Sequence, residues 1–330
     1  METPGEKFLE VQDLKTYFFT TKGVVRAVDG ISFSIRKGEV VGLVGESGCG
    51  KSVTSLSIMG LVPQPAGKTV GGEILFHNQN LLKKSDEEMR QIRGDKITMI
   101  LQDPMVSLNP ILKVERQIGE VFKYHNKVLG SLRNMCINVL QKVKIPSPEL
   151  RIKAYPFQFS GGMCQRVVIG IGVANNPELL IADEPTTALD VTIASQILQL
   201  MKQIQQEMGT AIMLITHDLA TVAQICTRVL VMYAGRIVEK APVKTFYKNP
   251  AHPYSIGLIQ SVPVLGKKSR KLYSIEGQPP NLLDPPEGCR FASRCDKVMP
   301  VCEKRYPPEV TADEKSHHRV CCWLYTEERE

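Results

Sequence analysis

Apolar and polar positions follow two periods along the chain, and the changes of period mark its elements. Continuous apolar runs at Val40 to Val44, Ile97 to Leu101, Leu179 to Ala182, Ile212 to Ile215 and Val229 to Tyr233 predict strands buried on both faces. Phe8 to Val11 and Ile31 to Ile35 alternate as half-buried strands do, and Gly71 to Phe76 predicts one more. Helical spacing runs from Lys51 to Met59, closed by Gly60 and Pro63, and again from Thr192 to Met208, where Ile193, Ile197, Leu200 and Ile204 share a core-facing stripe. Val167 to Ala174 predicts an apolar helix. Gln102 to about Phe159, rich in Lys and Arg and punctuated by Pro146, Pro148 and Pro156, predicts a mostly helical stretch. The turn Arg36-Lys37-Gly38-Glu39 leads into the strand at Val40, and Ala234-Gly235-Arg236 turns a hairpin that ends near Glu239. Strands alternating with helices predict an α/β fold.

Past Lys240 prolines multiply and long apolar periods stop, which sets a boundary between residues 1–240 and 241–330. A chain of 330 residues suits one large domain and a lesser one. At 43% hydrophobic and 23% charged it has a globular composition, and a formal charge of +7 suits phosphate ligands or an anionic surface without indicating nucleic acid. Met1 to Glu10 lacks the basic and apolar regions of a secretory leader. The longest apolar stretch, Val167 to Ala182, is broken by Asn175, Asn176, Pro177 and Glu178, so no bilayer span is expected. The expectation is a cytosolic protein whose membrane role comes through partners.

The segment Gly45-Glu46-Ser47-Gly48-Cys49-Gly50-Lys51-Ser52 fills every position of G-x-x-x-x-G-K-[ST], between a predicted strand and a predicted helix. Glycines let successive N–H groups face a phosphate, and a helix N-terminus adds partial positive charge. Lys51 is expected to reach the β- and γ-phosphates, and the Ser52 hydroxyl to ligate Mg²⁺. Leu179 to Asp183 ends in two carboxylates. Asp183 is placed for Mg²⁺ through water, and Glu184 to orient and deprotonate an attacking water. Ser160-Gly161-Gly162 at a helix start forms a second anion-binding end, and His217, following a strand, is placed to sense a γ-phosphate. In Thr16-Tyr17-Phe18-Phe19-Thr20 a ring is available to stack on adenine or simply to pack on the sheet, and the sequence does not choose between Tyr17 and Phe18.

Gly45 to Ser52, Gln102, Ser160 to Gln165, Leu179 to Glu184, Ala188 to Asp190 and His217, in this order, resemble the ATPase subunit of an ABC transporter. The resemblance implies a P-loop NTPase (RecA-like) α/β core with an antiparallel β subdomain, a helical subdomain inserted at about 103–159 and a small C-terminal cysteine-rich lobe. It also implies ATP and Mg²⁺ as ligands, Gln102 among the metal-facing and catalytic residues, and a sandwich of two subunits with ATP between the P-loop of one and Ser160-Gly161-Gly162 of the other. The helical insert would move membrane subunits through Gln102 at its root.

Gln102-Asp103-Pro104-Met105-Val106-Ser107-Leu108-Asn109-Pro110 and Asn249-Pro250-Ala251-His252-Pro253-Tyr254 are similar to the dipeptide/oligopeptide importer branch. This implies two permease subunits, a second, paralogous ATPase and an extracytoplasmic peptide-binding protein as partners, a place on the cytoplasmic face of the membrane, and no nucleic acid. Relatives that handle nickel or other small solutes keep the cargo open. Met163 stands where the general signature has Gln, and Cys164 where the branch commonly has Ser.

Five of nine cysteines fall between Cys289 and Cys322. Four thiolates suit a [4Fe-4S] cube or one Zn²⁺, and the five and six residues separating Cys289, Cys295 and Cys302 exceed the usual spacing of zinc pairs. The branch's tail implies a [4Fe-4S] cluster on Cys289, Cys295, Cys302 and Cys322, with Cys321 the alternative fourth ligand.

Overall fold

A computed structural model describes residues 6–187, 189–262 and 273–327. The chain divides into two compact units. One comprises Arg36–Glu39 and Lys83–Ile215; the other comprises Phe8–Ile35, Val40–Leu82 and the described residues from Thr216 onward.

The unit that holds the glycine-rich loop contains a four-stranded sheet in the order Gly23–Arg36, Lys7–Thr20, Gly67–Phe76, Gln79–Asn80. Its first two strands run well beyond the short alternations at Phe8 and Ile31. The β-branched and aromatic run at Thr16 continues the ladder, pairing Thr16 with Thr69 and Phe18 with Gly67. Inward positions such as Leu9, Leu14, Ile31 and Ile35 are fully buried, each contributing about 1.5–3 kcal/mol of hydrophobic stabilisation.

A second strand run in this unit has the order Glu309–Asp313, His318–Cys321, Arg236–Pro242, Arg228–Tyr233, Val40–Val44. Val40–Val44 is buried at every residue and parallel to Arg228–Tyr233, as an uninterrupted apolar run predicts. Residues past Lys240 thus extend a sheet edge, with Glu239 paired to Val320 and Val320 to Val310. The buried Glu239 carboxylate accepts from the N–H groups of Ala251 (3.0 Å) and His252 (2.7 Å) and contacts His318 Nε2 (2.8 Å).

The other unit carries the parallel strands Ala211–Thr216, Leu179–Asp183 and Ile97–Ile100, in that order. Between Ile100 and the serine-glycine segment lie helices Pro104–Ser107, Val114–Tyr124, Leu132–Lys142 and Pro148–Arg151. Val114, Ile118 and Phe122 are buried from one helix, and Cys136, Val139 and Leu140 from the next, so each hides a stripe at helical spacing.

Two sequence expectations are revised here. The apolar helix begins at Gly161, not Val167, because Ser160 caps it by accepting from the Met163 N–H at 3.3 Å. In helix Val191–Met208, Ile197, Leu200 and Ile204 are buried, but Ile193 is only partly so. Ile193 lies over the backbone of Gly162, where a Cβ would come within 2.6 Å of its Cγ2. Among the described residues no helix is long and apolar enough to cross a membrane.

Candidate functional site

The phosphate loop leaves the strand Val40–Val44 at Gly45 and enters the helix Lys51–Met59 at Gly50. Two of its glycines are demanded by the fold. Gly45 has φ 156°, and a Cβ there would stand 2.1 Å from the Met232 carbonyl oxygen; Gly50 has φ 108°, and a Cβ would meet the Ala27 carbonyl oxygen at 2.3 Å. The loop backbone thus lies against two other chain segments and leaves Ser47, Gly48 and Ser52 exposed. Lys51 is only 5% exposed; its ammonium donates to the carbonyls of Gly45 (2.8 Å) and Glu46 (2.9 Å), folding back over the curl that the glycines make. Cys49 is buried beneath it, and burial pushes its thiol up to about 11, so it behaves as a small apolar side chain.

The aromatic candidates differ in surroundings. The Tyr17 hydroxyl donates to Asp29 Oδ1 at 2.6 Å; burial and this bond raise it to about 12. Phe18 lies beside Gly67, where a Cβ would be 2.9 Å from its ring. Asp29 in turn pairs with Arg236 (3.3 Å) and, in the interior, with Arg290. Burial works against its ionisation, but the Tyr17 bond and the two guanidinium groups outweigh it and hold the carboxyl below its ordinary value. His217 belongs to this unit. It is exposed, directly after the strand Ala211–Thr216 and before helix Leu219–Ile225, which Asp218 caps.

In the other unit, Asp183 is buried at the end of its strand and Glu184 follows with φ 48°. A non-glycine residue in the left-handed region costs about 1–2 kcal/mol. The turn is held because the Glu184 N–H donates to the Ile215 carbonyl at 2.9 Å. Its carboxylate accepts from the Thr187 hydroxyl (3.0 Å) and from the amide of Gln102 (3.3 Å). Gln102 and Glu184, 82 residues apart in sequence, therefore meet. Of the Ala188 to Asp190 segment, Ala188 lies outside the described residues; Asp190 caps its helix by accepting from the Ile193 N–H at 2.9 Å. Ser160 and Gly161 are exposed and Gly162 half-buried. Cys164 points away from that tip: it is fully buried, its thiol 3.5 Å from the Pro156 carbonyl oxygen.

Cys289, Cys295, Cys302 and Cys322 line one small, apolar cavity with Phe291, Trp323 and Pro307. Cys321 faces a different hollow, with Arg236, Lys240 and Tyr306. All are free thiols, and burial raises Cys289 to about 12 and Cys322 to about 11. Among the described residues no three Cys, His, Asp or Glu side chains stand close enough for one metal ion.

Sequence reasoning gave no role to Asp29, Thr187, Tyr254 or Arg294. The Glu46 N–H lies 2.8 Å from the Tyr254 hydroxyl, and the Glu46 carboxylate forms a bidentate pair with Arg294, at 2.8 and 3.1 Å. The motifs around Asn249 and Cys289 signalled these residues only as family markers, because nothing in their periodicity says what they touch.

A family model described as "ABC transporter" matches residues 28–187, and one described as "Oligopeptide/dipeptide transporter, C-terminal region" matches residues 238–302. The chain is 50% identical to the dipeptide transport ATP-binding protein DppD of Bacillus subtilis, over 98% of this chain and 97% of that one. It is 49% identical to the oligopeptide transport ATP-binding protein AppD of the same organism, over 97% of each. With the oligopeptide transport ATP-binding protein OppD of Escherichia coli it shares 45% identity, over 92% of this chain and 90% of that one. Among solved structures it resembles the ATP-binding cassette MJ0796 in a dimeric post-hydrolysis state bound to ADP and Pi, with TM-score 0.64 and 26% identity over 71% of this chain and 98% of that one. With cbiO1 from Clostridium perfringens, part of the ABC transporter complex cbiONQ, the TM-score is 0.62 at 29% identity, over 74% and 92%. The cassette fold, the filled phosphate-loop motif and these near full-length identities agree: the chain belongs to the ABC transporter ATP-binding subunits of the dipeptide/oligopeptide importer family.

Proposed function

We propose that this ATP hydrolase drives the uptake of dipeptides or oligopeptides through two membrane-embedded permease subunits, paired with a paralogous ATPase and supplied by an extracytoplasmic peptide-binding protein. The observation that carries the catalytic part is the Glu184 carboxylate, held on a left-handed turn by Thr187 and touched by Gln102. A carboxylate fixed at a strand tip is suited to accept a proton from water as it attacks the γ-phosphate. The phosphate loop binds the triphosphate through its N–H groups and the Lys51 ammonium, which would exchange its two carbonyl partners for phosphate oxygens. Ser52, Asp183 and Gln102 would hold Mg²⁺ through hard oxygen donors. When bound, the ion neutralises charge developing on the phosphates.

Ser160, Gly161 and Gly162, exposed or half-exposed at a helix start, support the sandwich reading in which they face a partner's ATP. His217 is proposed as the γ-phosphate sensor, and Tyr17 or Phe18 as the adenine platform. Exposed Leu101, Met105, Val106 and Ile111, close in sequence to Gln102, support docking of the helical segment (103–159) on permease subunits at the cytoplasmic face of the membrane. We further propose that residues 241–330 form a C-terminal functional region with a [4Fe-4S] cluster on Cys289, Cys295, Cys302 and Cys322, supported by their shared cavity and by Cys321 facing elsewhere. Visible absorbance and iron content of anaerobically purified protein test it; a colourless chain with one zinc would refute it.

The test of the catalytic reading is Glu184→Gln in the assembled complex. ATP turnover is expected to fall by about 10²–10⁴-fold with nucleotide affinity kept. Parental turnover in this variant would assign the base elsewhere.

A further inference from the structure

Glu46 occupies one of the unconstrained positions of the phosphate-loop motif, and a bare carboxylate there would oppose an incoming triphosphate. In this chain it is not bare. Arg294 meets it with two nearly parallel N–H···O bonds, and the Arg294 side chain is only 5% exposed. The remaining Arg294 donors are also fixed: Nε donates to the Glu276 carbonyl (2.9 Å), Nη2 to that of Ile275 (3.2 Å) and Nη1 to the Tyr233 hydroxyl (3.3 Å). A guanidinium this fully engaged has one geometry, and it confers that geometry on the loop.

Around the pair, the rings of Tyr233, Tyr254 and Phe291 pack with centroids 4.6–5.4 Å apart, and the Tyr254 hydroxyl takes the N–H of Glu46 itself. Both atoms by which Glu46 could drift, its amide and its carboxylate, are thus anchored by residues from beyond Lys240. A second arginine of the same segment acts on other neighbours of the loop. Arg290 pairs with Asp29 and donates to the Ala234 carbonyl, and the Asp29 N–H donates to the Gly235 carbonyl at 2.9 Å. The Gly235 N–H in turn donates to the Cys49 carbonyl of the phosphate loop at 2.8 Å. The two arginines adjoin the first two cysteines of the tail, as Cys289-Arg290 and Arg294-Cys295.

We infer that Arg294 is a positioning residue for nucleotide binding: it neutralises and orients Glu46, so that the affinity of the phosphate loop depends on a C-terminal segment remote in sequence. The inference needs that segment folded, whatever its cysteines hold, so it stands or falls separately from the cluster reading. The permease complex is not needed either, because the readout is binding to the full chain.

The experiment is a double-mutant cycle on the full chain, with equilibrium binding of a fluorescent ATP analogue as the readout. Arg294→Gln leaves the Glu46 carboxylate unopposed and is expected to weaken binding roughly tenfold. Glu46→Gln removes that charge at the loop and changes no residue of the C-terminal segment, so it reports even where the arginine variant folds poorly. With the carboxylate gone the Arg294 cation is left unpaired beside the loop, so affinity is expected to rise rather than fall, and in the double variant Glu46→Gln should restore most of what Arg294→Gln loses. Arg294→Lys, keeping the charge without the fork, should recover part of the affinity. A general destabilisation would not be rescued by a substitution at Glu46. Unchanged affinity in Arg294→Gln, or losses that multiply in the double variant, would overturn the assignment.

Discussion

The phosphate loop and the Asp183–Glu184 tip are both short turns at the ends of buried strands, yet they are built in opposite ways. The loop uses glycine wherever its backbone enters the left-handed region, at Gly45, Gly48 and Gly50, and closes on itself through Lys51. At the carboxylate tip the left-handed position is filled by Glu184, a residue with a long side chain. The first turn is a receptacle shaped by backbone, where a side chain at Gly45 or Gly50 would collide with neighbouring carbonyls. The second accepts backbone strain to aim one carboxylate. In the function proposed above, binding falls to N–H groups and one ammonium, and bond cleavage to one carboxylate.

The sharpest break of this comparison is Lys51→Ala. Removing the ammonium takes away the cation that folds back over the loop carbonyls, and ATP affinity and turnover should fall together, each by at least about 10²-fold. Glu184→Gln should separate the same two quantities. If Lys51→Ala bound a labelled nucleotide as tightly as the parent, backbone alone would suffice and the contrast between the turns would lose its basis.

The two turns were not equally legible in the sequence. The loop is contiguous, and its strand, spacing, lysine and serine all lie within one window, so Val40 to Met59 could be assigned whole. The Ser160 cap was legible for the same reason, although the helix it starts was placed six residues late because Gly161 and Gly162 lack side chains to report a period. The partners of the loop were not legible. Arg294 is 248 residues from Glu46, and the tail is brought to bear by strands His318–Cys321 and Glu309–Asp313 joining a sheet edge and by contacts such as Arg290 with Asp29, none of which a local pattern announces. Likewise no spacing rule distinguishes Cys321 from Cys322; adjacent residues at a strand end point to opposite sides, and the cavity each faces follows from that.

A pH titration sharpens the comparison at intermediate cost. His252, fully buried, caps the helix that carries Tyr254 to the phosphate loop, its Nδ1 accepting from the Tyr254 N–H at 3.1 Å. Burial lowers it to about 4, with nearby Glu239 opposing the shift. Its folded value is below that of the unfolded chain, near 6.5. The contribution is therefore complete above about pH 6.5 and is lost as pH falls toward 4, about 3 kcal/mol in all. His252→Asn keeps a capping acceptor without the titrating ring, and should flatten the acid slope of the thermal midpoint across that window. The same slope in the variant would place the proton uptake on another group.

The smallest effects belong to the two groups that steady Glu184, and their ranking follows from geometry. Thr187 donates at 3.0 Å from within the same turn, so its hydroxyl is ordered by the backbone that strains Glu184. Gln102 donates at 3.3 Å and is exposed, so water replaces its bond at little cost. Thr187→Val should lower turnover in the assembled complex by roughly tenfold, and Gln102→Ala by roughly threefold in the chemical step measured by single turnover. Transport coupled to that turnover is where Gln102→Ala should lose more, because this residue adjoins the helical segment with its exposed Met105 and Val106. An equal loss of hydrolysis and transport in Gln102→Ala would make the glutamine a steadying group for the carboxylate alone, with no part in passing the state of the nucleotide to the helices.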